Sequence, residues 1–209
     1  MGEFFGYMCF SMFEGFALYS LMFYVFRFDV QKYFWPIIIM ITITNLQSFI
    51  IREELSLNTI APVINIILIM LFLIVIIKIP VVWSMFMAIF GYIGLVVFQI
   101  GIVILSNGYL SFDEIQSVEW KGYLFQFITG VVVSSVGWIL YRFGYGFSYR
   151  FAERLKFTWE RPFIITLVLC LIVTLGVMMS IKAVYTNLLI AVAALAILLA
   201  YSFKKEVEE

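Results

Sequence analysis

Apolar residues run along the chain in long charge-free blocks, at 33–51, 55–77, 79–112, 122–141, 162–181 and 183–203. A seventh block, 4–26, is interrupted only by Glu14. A helix crossing the hydrocarbon core needs about 20 apolar residues, because that core is about 30 Å thick and each residue rises 1.5 Å. Each block therefore holds one crossing. The pattern predicts an all-α, polytopic transmembrane bundle of seven spans at about 4–26, 33–51, 59–77, 83–106, 122–141, 162–181 and 183–203. Two boundaries rest on local chemistry. At Lys78-Ile79-Pro80 the proline lacks an amide hydrogen and disfavours helix at Ile79, so the chain turns and Lys78 meets the headgroups. The stretch 162–203 would be about 63 Å long as one helix, roughly twice the membrane. It folds back at its only polar break, Ser180-Ile181-Lys182. The first residues carry Glu3 and no basic region, so the first span is expected to remain as a span rather than to serve as a signal peptide.

Composition supports this reading and narrows it. Of the 209 residues 65% are apolar and 12% charged, against about 45–50% and about 25% in soluble domains. The spans leave no room for a soluble domain of roughly 100 residues. Thirteen basic and thirteen acidic residues balance, without the clustered basic face that nucleic acid requires. The order of the charges sets the orientation. Ten basic residues (Arg27, Lys32, Lys78, Arg142, Arg150, Arg154, Lys156, Arg161, Lys204 and Lys205) fall on one side of a seven-span chain, and Arg52, Lys121 and Lys182 on the other. The positive-inside rule then puts the N-terminus outside and the C-terminus inside, in the cell membrane.

With that topology Glu14, Asn45, Gln47, Asn65, Gln99, Gln126 and Asn187 all fall in the outer half of the bundle. An ionisable group in hydrocarbon costs several kcal/mol unless it faces water or a partner, so Glu14 marks a candidate site. Glu14, Asn45, Gln47 and Gln99 are expected to line an outward-facing polar ligand pocket. The alternative for the amides is interhelical hydrogen bonding worth about 0.6 kcal/mol each, with Glu14 protonated and inert.

Small residues mark packing faces. Gly94 and Gly101 in the fourth span, and Gly130, Ser134 and Gly137 in the fifth, predict that these two helices touch. Ala193, Ala196 and Ala200 predict a close contact for the seventh, and dimerisation through such a face is the alternative. In the inner loop 142–161, Phe147, Phe151, Leu155 and Trp159 recur every four positions among five basic and two acidic residues. That is the spacing of an amphipathic helix lying on anionic lipid headgroups, or a docking surface for a cytoplasmic partner. The outer loop 107–121 is acidic through Asp113, Glu114 and Glu119. It is either simply solvated or turned toward a cationic or peptide ligand. Trp35, Tyr33, Trp83, Trp120, Tyr123, Tyr141 and Tyr185 lie near span ends, as in aromatic belts.

The chemistry of an enzyme is not assembled. Histidine is absent, and Asp29 and Asp113 lie in loops on opposite sides. Glu53-Glu54 lacks a histidine to complete a metal or water-activating site, and Lys182 sits at a helix end rather than deep in a span. Gly144-Tyr145-Gly146 is not a phosphate loop. Cys9 and Cys170 lie in apolar runs and form neither a metal site nor a disulfide framework. The expectation is a protein with no cofactor and no enzymatic activity.

The opening, Phe13-Glu14-Gly15-Phe16-Ala17-Leu18 onward to Phe26-Arg27-Phe28, places an acidic residue early in an aromatic-rich span followed by a basic break. With the span count, it resembles the polytopic sensor regions of Gram-positive bacterial histidine kinases, including the accessory-gene-regulator type that detects cyclic peptides. In that family the last span leads into a kinase, whereas this chain stops at Lys204-Lys205-Glu206-Val207-Glu208-Glu209. The resemblance implies a sensor-like region acting through a separate cytoplasmic or membrane partner on an extracellular small-molecule or peptide ligand. A small transporter, or the substrate-binding subunit of one, is the alternative, with Pro62 and the glycines of the fourth span as helix interruptions. A third reading is a structural membrane protein whose glycine faces meet a partner in the bilayer.

Overall fold

The computed structural model describes residues 2–53, 61–147 and 193, and these contain helices and turns but no strand. In chain order the helices are α1 (Gly2–Val25), α2 (Phe34–Glu53), α3 (Ala61–Phe72), α4 (Val81–Leu105), α5 (Phe112–Ser117) and α6 (Glu119–Arg142). A π-helical turn, Leu73–Ile77, extends α3. The expected spans at 162–181 and 183–203, most of the loop 142–161, Asn187, Ala196 and Ala200 lie outside the described residues. Ala193 is helical and exposed.

Three helices, Phe5–Val25, Val81–Leu105 and Glu119–Arg142, are long and apolar enough to cross a membrane. The apolar helices Phe34–Phe49 and Pro62–Ile77 are shorter. Burial runs in the sense expected of a membrane protein. Ile39, Ile43 and Leu46 on α2, Val63, Ile67 and Leu71 on α3, and Val75 in the π-helical turn that follows it are exposed at helical spacing, while Ser11, Ser20, Thr44, Ser48 and Thr129 are buried. Water would reject such an outward apolar stripe; lipid accepts it.

α1 is the centre of the bundle. Its start lies beside the end of α2 through Tyr7 and Phe49, and its end beside the start of α4 through Phe26, Phe86 and Phe90. Both neighbours therefore run antiparallel to it. α6 runs parallel, since Gly130 meets Phe13 and Gly137 meets Leu21 and Tyr24. α3 is parallel as well, packing Phe72 against Tyr19 and Phe23.

The expected contact between α4 and α6 is present, but both glycine faces pack chiefly on α1. Gly91 and Gly94 of α4 face Leu18, Leu21 and Met22, and Gly130 and Gly137 of α6 face Phe13, Ser20, Leu21 and Tyr24. Gly101 faces open space. Spacing identifies a small-residue face, but the neighbour it admits is decided by which helix is central.

The turns follow from their residues. At Lys78-Ile79-Pro80 the expected break is present, with Lys78 left-handed at φ 65° and Pro80 capping the start of α4. Between α1 and α2, Arg27 is left-handed and Asp29 Oδ1 accepts from the Gln31 amide at 2.9 Å. Ser111 caps α5 by accepting from the Glu114 amide at 3.4 Å, an arrangement typical of Ser/Thr-x-x-Glu. Trp83 departs from the belt pattern. It is only 3% exposed, its ring against Phe86, whereas Trp35 is 73% exposed. Position near a helix end does not say which face the ring takes.

In the acidic loop, Lys121 pairs with Glu114 at 2.7 Å and lies over the Tyr109 ring at 4.6 Å. The Glu114 side chain is 44% exposed, so Glu114→Gln should lower stability by less than about 1 kcal/mol in an unfolding titration. A larger loss would mean that the pair organises the whole loop.

At the opposite end, the segment after α6 is fastened to the end of α1. The Arg27 guanidinium donates to the Gly144 carbonyl, and the Phe147 amide donates to the Val25 carbonyl at 2.7 Å. The Phe147 ring is buried against Phe26. Gly146 is required there: its φ is +154°, and a Cβ would stand 2.7 Å from the Val25 oxygen.

Candidate functional site

The half of the bundle that holds the start of α1 encloses a cavity of about 130 Å³. α1 supplies Tyr7, Ser11, Glu14, Gly15, Leu18 and Tyr19, on successive turns of one helical face. α2 adds Thr44, Asn45 and Ser48; α3 adds Asn65 and Ile69; α4 adds Tyr92 and Leu95; α6 adds Gln126. Such a concentration of polar groups inside an apolar-surfaced bundle has no role in packing against lipid.

Of the residues singled out from the sequence, Glu14 and Asn45 line this cavity. Gln99 joins Glu14 from α4, its Nε2 donating to Oε1 at 2.6 Å, although it is not itself part of the lining. This bond ties the central helix to α4 across the bundle. Gln47 is not part of the lining, and neither its oxygen nor its nitrogen has a hydrogen-bond partner among the described residues.

The remaining polar groups divide into satisfied and unsatisfied sets. Asn65 Nδ2 donates to Ser48 Oγ at 2.9 Å, and the Ser48 hydroxyl donates back to Asn65 Oδ1 at 3.3 Å, joining α2 to α3. The Thr44 hydroxyl is spent on its own helix, at 3.0 Å from the Met40 and Ile41 carbonyls. Gln126 Nε2 donates to Ser11 Oγ at 3.4 Å. Asn45 Nδ2, Gln126 Oε1 and the Tyr19 hydroxyl are buried with no partner among the described residues. A buried polar atom left unpaired costs about 1–3 kcal/mol, so these three are a cost carried by the polar cluster around the cavity.

Asn65 and Gln126 stand out in the sequence as amides inside spans. The tyrosines and hydroxyls give no such signal, because Tyr, Ser and Thr are ordinary within membrane helices; only the α1 spacing 7, 11, 14, 18 hints at a shared face. Chemically the lining offers hydrogen bonds and one carboxyl group. No three His, Cys, Asp or Glu side chains gather into a metal site among the described residues. No protein-family model matches this chain, and neither does any curated protein or solved structure.

Proposed function

We propose that this protein is a receptor or sensor-like component of the cell membrane that admits a small or peptide ligand to the Glu14 cavity. In this reading it has seven spans with the N-terminus outside, and it acts by helix rearrangement on a partner protein. The observation that carries the reading is the cavity itself, a polar hollow built around the central helix of a bundle with an apolar exterior. Two further features support it. The cavity lies at the end whose connections carry Arg52, Lys121 and acidic residues, while Arg27, Lys32, Lys78 and Arg142 lie at the other, as an outward-facing site would require. α1 both lines the cavity and, at its far end, holds the segment leading into the basic stretch 148–161, so displacement of α1 has a route to the inner side. The resemblance to accessory-gene-regulator-type sensors belongs to the same proposal.

A membrane-impermeant maleimide tests the outward-facing site. With Cys9 and Cys170 replaced by serine, Ser11→Cys should be labelled in intact cells and Val75→Cys, on the lipid-facing stripe, should not. Labelling of Ser11→Cys only after permeabilisation would overturn the outward opening. Proteoliposomes holding the full chain should show no net solute flux; a flux that Glu14→Gln removes would make the protein a transporter.

A further inference from the structure

At the end of the bundle opposite the cavity Arg27, Lys32, Lys78 and Arg142 are exposed, and none has an ion-pair partner among the described residues. Asp29 is the one carboxylate at that end among the described residues, and its Oδ1 accepts from the Gln31 amide. At the other end Lys121 is paired with Glu114. Helix dipoles do not account for the difference. α1, α6 and the π-helical turn after α3 end here while α2 and α4 begin here, so their partial charges largely cancel. Two of the cations also occupy left-handed backbone. The Phe28 amide donates to the Phe23 carbonyl at 2.8 Å, the Arg27 amide to the Tyr24 carbonyl at 3.2 Å, and the Phe28 ring lies 5.8 Å from that of Phe23. This is the helix ending whose left-handed position is usually glycine, yet Arg27 holds it at φ 55°, and Lys78 closes the turn after α3 at φ 65°.

Aromatic rings stand exposed among these charges. The Arg142 guanidinium lies 5.1 Å over the Trp138 ring, one turn back along α6, and Phe143 and Tyr145 follow at 72% and 67% exposure. Gly144, between them, accepts from Arg27, which brings the end of α1 to a point two residues, at most about 7.6 Å of backbone, from Arg142. Arg27 gives one donor to that carbonyl, and its remaining N–H groups find no partner among the described residues. We propose that this end of the bundle binds anionic phospholipid headgroups in preference to zwitterionic ones, the cations meeting the phosphates and the rings the acyl boundary. The proposal is independent of what the Glu14 cavity holds. A zwitterionic headgroup brings its own ammonium beside the phosphate and offers the cations no net charge, whereas phosphatidylglycerol does. Exposed Trp138 and Phe143 beside Arg142 suit the boundary between headgroups and hydrocarbon, which makes the partner a lipid rather than a soluble acidic protein.

The full chain in phosphatidylcholine vesicles tests this, with Trp138 left as its one tryptophan by Trp35→Phe, Trp83→Phe, Trp120→Phe and Trp159→Phe. Phosphatidylglycerol and phosphatidylcholine, each brominated on the acyl chains near the headgroup, quench Trp138 in proportion to their occupancy beside Arg142. Phosphatidylglycerol should be favoured about fivefold at about 0.1 M salt, the attraction of one basic residue to an anionic surface. At about 1 M salt, where charges are screened beyond about 3 Å, the preference should fall below about twofold. Arg142→Gln should lower it as far, and Arg142→Lys should keep it, because the charge remains. Arg27→Gln should lower it as well, and Lys121→Gln, at the other end, should not. The unmodified chain, taken from vesicles holding both lipids in equal amounts, should retain phosphatidylglycerol in excess by native mass spectrometry. Equal occupancy or equal retention of the two lipids overturns the proposal. So does a preference that survives high salt or both glutamine variants, that Arg142→Lys removes, or that Lys121→Gln removes equally. Displacement of the brominated phosphatidylglycerol by inorganic phosphate at matched ionic strength would assign a free phosphate instead, and overturns the lipid. Failure of the Ser11→Cys labelling strikes the outward cavity and leaves this surface standing.

Discussion

Gly130→Ala should destabilise the bundle by about 1–3 kcal/mol, the usual cost of overpacking, while Gly101→Ala should be neutral or slightly stabilising. Both glycines lie inside long apolar helices, and the sequence gives no ground for separating them. Their surroundings differ completely. A Cβ on Gly130 would stand 2.8 Å from Phe13 Cβ, 3.0 Å from the Phe13 carbonyl oxygen and 3.1 Å from its carbonyl carbon. Two of those atoms are backbone of the central helix, so no side-chain rotation relieves the clash; α1 and α6 must move apart. Separation would also break the Gln126–Ser11 bond one turn earlier and open the cavity wall between α1 and α6. Gly101 has nothing within 4 Å, and a methyl group there removes only backbone freedom. Equilibrium unfolding in mixed micelles with a denaturing detergent measures both. Equal tolerance of the two substitutions would show that α6 does not press on α1 at Phe13.

How much was legible follows from what each kind of signal encodes. The break at Lys78-Ile79-Pro80 could be read because proline's missing amide and steric demand are local properties that no tertiary contact reverses. Glu14 could be read because a carboxyl in an apolar run carries an energetic penalty wherever the helix sits. The partners of the glycine faces could not, because α4 and α6 both turn toward a third helix and periodicity names a face without naming its neighbour. Trp83 was misplaced for the same reason: a ring near a helix end faces lipid or protein according to packing. Gln47 and Asn45 are two residues apart on α2, about 200° around the helix, so both could not face one hollow; applying that rotation to the sequence would have separated them. The tyrosines of the cavity were silent because an aromatic residue in a membrane helix has many ordinary uses.

Phe23→Ala should cost about 2 kcal/mol, less than the 3–5 kcal/mol usual for such a truncation in a water-soluble core. Phe23 is fully buried, and its ring meets Tyr19, Phe28, Tyr33 and Phe72. In water the loss combines transfer of the ring from solvent with the void it leaves. In a bilayer the separated helices keep Phe23 in lipid, which is as apolar as the core, so the transfer contribution largely vanishes. The void remains: at about 24 cal/mol per Å³, roughly 100 Å³ of lost ring volume gives about 2.4 kcal/mol before relaxation. Leu105→Ala, at a position 82% exposed, creates no void and should stay within about 0.5 kcal/mol. The same mixed-micelle titration serves. A loss near 5 kcal/mol at Phe23 would mean that the unfolded reference exposes this ring to water, and that α1 does not remain a membrane helix when the bundle comes apart.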